Sequence, residues 1–68
     1  MRNHPHALDT TSEALTLLDH AQAVLQSAAA QAARERQHRL AGDLRVLSHA
    51  VALECEALFD VWLRALND

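Results

Sequence analysis

The sequence predicts an all-α protein: a two-helix antiparallel hairpin that dimerises into a four-helix bundle. Three observations lead there. From Leu40 to Leu66 an apolar residue recurs every three or four positions, at Leu40, Leu44, Leu47, Val51, Cys55, Leu58, Trp62 and Ala65, which is the helical period. An earlier run, Ala14, Leu18, Ala21, Leu25, Ala28 and Ala32, keeps the same period. Finally, Leu15, Leu17, Val24, Phe59, Trp62, Leu63 and Leu66 exceed what the single seam of a hairpin can cover. A soluble chain hides such a surplus by associating.

Length makes the same demand. At 68 residues the chain is one domain near the lower limit for independent folding, where about 60% of the unfolded surface is buried. Chains of this size rely on staples or on a partner. Cys55 is the only cysteine, so no intrachain disulfide can form, and its apolar helical position suits a reduced thiol in the cytoplasm. No stretch approaches the ~20 apolar residues of a membrane span. The first residues, Met1 to His6, lack the apolar core of a signal peptide. A cytoplasmic protein is therefore expected. The net charge of −3 argues against a general nucleic-acid coat. All six basic residues are arginine and none is lysine, a bias of GC-rich codons that suggests a bacterium or its phage.

Residues 1–9 read as a flexible lead-in, because Pro5 disfavours helix before it and cannot sit inside one. His4 and His6 flank that proline but have no third ligand nearby, so they do not make a metal site. Thr10 to Glu13 matches the Ser/Thr-x-x-Glu capping box, which starts helix 1 at about residue 10 and carries it to about 34. The alternation of Ala and Leu on its inner face lets a second helix approach at each Ala. Asp19, Gln22, Gln26 and Ser27 then point outward, while Leu15, Leu17 and Val24 widen the apolar surface.

The connection has two candidate positions. Gly42-Asp43 has the residue types of a helix stop and start. Phase argues for an earlier break within 35–38, because a continuous helix 1 would carry Leu40 onto its polar side. Gly42 would then lie in the first turns of helix 2, costing about 1 kcal/mol against Ala while permitting close helix contact. Helix 2 runs to about residue 66 and frays at Asn67-Asp68. Both positions give one hairpin domain over 10–68.

The charges are segregated along the chain. Arg34, Arg36, Arg39, His38 and Arg45 gather near the connection, against Glu35 and Asp43, and Asp9, Glu13, Asp19, Glu54, Glu56, Asp60 and Asp68 near the open end. Two hairpins with their turns at opposite ends set Arg against carboxylate, whereas turns together oppose like charges. Exposed pairs are worth only about 0–1 kcal/mol each, enough to select orientation rather than to supply affinity.

The segments Glu13-Ala14-Leu15, Leu18-Asp19-His20-Ala21, Arg39-Leu40-Ala41, Val46-Leu47-Ser48 and Ala52-Leu53 resemble small helical-hairpin families of unknown function from pseudomonads. The likeness covers most of the chain as an Ala/Leu pattern. It departs at Gly42-Asp43, where more bulk is expected. In size and layering the chain is also similar to the Rop-type plasmid copy-number regulators, hairpin dimers that bind paired RNA loops. The RNA-binding face this implies is not matched in helix 1, whose outer surface has no Lys and begins with acids.

No nucleophile stands beside a base, no phosphate-binding loop is present and no zinc-type His/Cys spacing occurs. An enzyme is not expected, and no catalytic, cofactor or metal residue is assigned. The expected function is a small protein-interaction module: a regulator, inhibitor or adaptor that buries an apolar helix face on a larger protein. Its candidate dimer or partner interface is Leu15, Leu17, Leu18, Val24, Leu25, Leu58, Phe59, Trp62, Leu63 and Leu66, since aromatic anchors dominate binding energy. Phe59 and Trp62 serve either the dimer core or the partner. The alternative is RNA binding by the Arg-rich turn, with Arg34, Arg36, Arg39 and Arg45 as the phosphate contacts.

Overall fold

A computed structural model describes residues 5–67. It contains two α-helices, α1 (Pro5–Arg34) and α2 (His38–Asn67), joined by residues 35–37. They lie side by side as an antiparallel hairpin 55 Å long and 15 × 11 Å across.

Helix α1 begins five residues before the expected capping box. Proline suits the first helical position, because its fixed φ matches the helix and its missing N–H would lack an intrahelical partner there anyway. Residues 5–9 are therefore helical and not a flexible lead-in; residues 1–4, with His4, lie outside the described residues. Thr10 caps nothing. It and Thr11 donate their hydroxyls back to the carbonyls of His6 and Ala7 at 2.8 and 2.7 Å, the usual back-bonding of a Thr inside a helix. At the other end α2 includes Asn67, and Asp68 lies outside the described residues.

A Schellman-type cap ends α1. The Gln37 N–H donates to the Ala32 carbonyl at 2.8 Å, and the Arg36 N–H to the Ala33 carbonyl at 3.1 Å. Arg36 occupies the left-handed position, with φ 62°, where glycine is the usual residue. The Gln37 carbonyl then accepts the Ala41 N–H at 2.9 Å, the first bond of α2. Gly42 is thus inside α2. A Cβ built on it meets nothing within 4 Å, so it serves no close helix contact and is only a weak spot in the helix.

The seam is small at the turn end and larger toward the open end. Ala29, Ala32 and Ala41 are 1–3% exposed, and Ser48 is buried beside them. Further along, Leu15, Leu18 and Leu25 of α1 face Leu44, Val51, Cys55, Leu58 and Trp62 of α2, all half-buried. The expected stripe of α2 is displaced near the turn. Ala41 and Ser48 take the inner positions, and Leu40 and Leu47 are 47% and 53% exposed. Small residues on both helices allow close approach there, and a leucine would hold the axes apart. Leu15 and Gln22, expected off the seam, are half-buried against it.

Candidate interaction surface

Two helices side by side make a layer with two broad faces, and a 100° step per residue assigns each side chain to one of them. On the first face Leu18, Leu47, Ala50, Val51, Glu54 and Leu58 line a shallow apolar groove. Leu17 and Val24 stand on the α1 flank of that face, in helical register with Ala14, Ala21 and Ala28. The only charge in the groove lining is Glu54.

The second face is polar along the middle of the rod. Gln22, Gln26, Arg45, Ser48 and His49 line an open groove, which continues past Leu15, Asp19, Cys55 and Glu56 to Phe59. Leu63 and Leu66 follow Phe59 at helical spacing and are exposed. The Phe59 and Trp62 rings are 5.9 Å apart between centroids and tilted by 31°, a favourable offset geometry. Trp62 is half-buried toward the seam and Phe59 is half-exposed.

The ten candidate interface residues therefore divide. Leu15, Leu18, Leu25, Leu58 and Trp62 serve the hairpin's own seam, Leu17 and Val24 belong to the first face, and Phe59, Leu63 and Leu66 lie toward the second. Leu40, Leu47, Val46, Leu53 and Val61, absent from that set, are all exposed. The helical period places Leu40 and Leu47 on the seam; Val46, Leu53 and Val61 carry no periodic signal apart from the exposed side of α2.

The arginines do not form a single patch. Arg34 donates to Gln31 Oε1 at 2.6 Å, and Gln31 in turn donates to Glu35 Oε2 at 2.7 Å. Arg36 supplies the left-handed turn residue. Arg39 lies beside His38, Leu40 and Asp43 in a shallow depression at the start of α2, while Arg45 belongs to the polar groove. Among the described residues one ion pair forms, Arg64 with Asp60 at 3.3 Å within one turn of helix. No three His, Cys, Asp or Glu side chains among them gather as metal ligands, and no helix is long and apolar enough to cross a membrane.

No protein-family model, no curated protein and no solved structure matches the chain.

Proposed function

We propose that this chain is a small non-enzymatic interaction module of the bacterial cytoplasm, a regulator, inhibitor or adaptor. It pairs with a second copy, turns at opposite ends, into a four-helix bundle and binds a larger protein through an apolar helix surface. One observation carries the reading: no large side chain is fully enclosed among the described residues, while leucines, valines and Phe59 stand exposed along the whole rod. A single helix–helix seam cannot enclose a leucine, so the remaining apolar area requires further helices.

The test is absolute mass in solution, by light scattering on a sizing column. A dimer supports the reading and a folded monomer overturns it. The Trp62→Ala variant then sorts the aromatic end. A folded dimer frees Phe59 and Trp62 for a partner and makes Trp62 the bait for its capture; loss of the dimer assigns them to self-association.

A second reading, RNA binding by the turn, draws support from Arg36 and Arg39, which are exposed and without a carboxylate partner among the described residues. Salt dependence separates it from apolar docking.

A further inference from the structure

We propose that the first, apolar face is the dimer surface, and that the second copy lies on it with α1 against α1 and α2 against α2, about a two-fold axis passing near Ala21 and Val51. The proposal rests on the self-association reading above and deepens it by naming the face and the register.

Area gives the first argument. The chain exposes 5242 Å², whereas a compact monomer of 7.5 kDa exposes roughly 4,200 Å² by the scaling of surface with mass. The excess of about 1,000 Å² is close to the ~800 Å² per partner that a standard interface buries. The second face is interrupted by Asp19, Gln26, Arg45, His49 and Glu56. On the first, the groove holds one charge.

Symmetry gives the second argument. Along the first face α1 presents Ala14, Leu17, Ala21, Val24 and Ala28. Read backward, the order of sizes is the same: small, large, small, large, small, with Ala21 at the centre. A copy related by a two-fold perpendicular to the helices runs its α1 in reverse, so each Ala meets an Ala level and each large residue a large one. Helix α2 shows a weaker form of this about Val51: Leu44 and Leu58, half-buried at the edge of the seam, lie seven residues to either side, while Glu54, opposite Leu47, and the exposed Asp43 break the pattern.

The two centres lie one on each helix, and the fold sets them level. Ser48 reaches the Gln22 carbonyl, so Ala21 and Val51 lie within about 3 Å of each other along the rod, at 1.5 Å per residue. One axis can therefore serve both helices. With turns together α1 would face α2 of the copy instead, and neither centre would be used. The distribution of charge agrees. Arg34, Arg36 and Arg39 near one end come to the end bearing Asp9 and Glu13 of the other copy.

The experiment compares the full chain with variants on each surface, by mass and helix content. Leu47→Glu acts twice in a symmetric dimer and should raise the dissociation constant by at least about a hundredfold. Leu53→Glu, on the outer surface, and Leu63→Glu, toward the polar face, should leave it unchanged. Glu54→Leu should tighten the dimer about tenfold. Because Leu47→Glu could unfold a hairpin that depends on its partner, a cysteine placed at the axis gives an independent readout. Ala21→Cys in a Cys55→Ala background should form a disulfide between copies under mild oxidation, and Thr16→Cys in that background should not. A wild-type dimer that resists Leu47→Glu, separates with Leu63→Glu and leaves position 21 unlinked overturns this face while self-association stands. A folded wild-type monomer overturns both.

Discussion

The Ser48 hydroxyl, on a residue 4% exposed, stands 3.5 Å from the Gln22 carbonyl across the seam. At that length it is a weak hydrogen bond, so the value of Ser48 is its size. Ser48→Ala should change the stability of the protein by less than about 1 kcal/mol. Ser48→Leu restores the leucine-like bulk expected of a seam position but overfills it, and should cost about 1–3 kcal/mol. Urea unfolding followed by circular dichroism measures both; a stabilising Ser48→Leu would show that the helices can separate there freely.

Arg36 holds a left-handed backbone conformation at φ 62°. That conformation costs a residue with a Cβ about 1–2 kcal/mol, and glycine adopts it without that penalty. Arg36→Gly should therefore stabilise the fold by about 1 kcal/mol, after the extra unfolded-state entropy of glycine is subtracted. Arg36→Val should destabilise it. Thermal unfolding of the pair decides the matter, and the prediction fails if the two variants move the midpoint in the same direction.

The reverse exchange applies at Gly42. It is helical, and an added Cβ meets open space, so Gly42→Ala should add about 1 kcal/mol. Arg36→Gly and Gly42→Ala lie on different features and share no partner, so their effects should add within about 0.5 kcal/mol. A loss of stability in Gly42→Ala would mean that another helix packs against this position in the assembled protein.

Trp62 is half-buried and stacked against Phe59. Its truncation to Ala should cost about 2 kcal/mol, less than the 3–5 kcal/mol of a fully buried aromatic. In Phe59→Ala, which removes a more exposed ring, the loss should be smaller. Denaturant midpoints rank them, and an equal or larger loss for Phe59→Ala would place that ring under cover in the native assembly.

Salt separates the two functional readings. An interface of leucines and valines should hold its affinity within a few-fold between 50 and 200 mM salt, whereas three phosphate contacts would lose about forty-fold over that range. Arg36→Glu with Arg39→Glu should leave protein capture intact and abolish any binding to RNA. Filter binding and capture assays on the same variant measure each arm; loss of both activities together would point to a general failure of the turn.

The helical nature of both halves was legible in the sequence, because a period of three to four residues is imposed by backbone geometry and survives in any environment. So was the surplus of apolar surface, which is a matter of counting. Helix ends were less legible. Thr10 and Glu13 have the right types for a cap, but capping needs a chain that has not yet entered the helix, and Pro5 had already started it. Gly42-Asp43 carries the residue types of a turn, but helical phase favours a break within 35–38, and the chain turns there, at Glu35–Gln37, where Arg36 takes a position that glycine normally fills.

What the sequence alone determined is the class of fold and the need to cover apolar area, since both follow from composition and period. Which stripe of α2 faces its neighbour was decided by tertiary structure. The stripes through Leu40 and Leu47 and through Ala41 and Ser48 differ by one residue and share Leu44, Val51 and Leu58. Period cannot choose between them. The choice fell to the small residues because Ala29 and Ala32 face them from α1. Close approach of two helices excludes a leucine from the contact, and the leucines so excluded are the ones left on the surface.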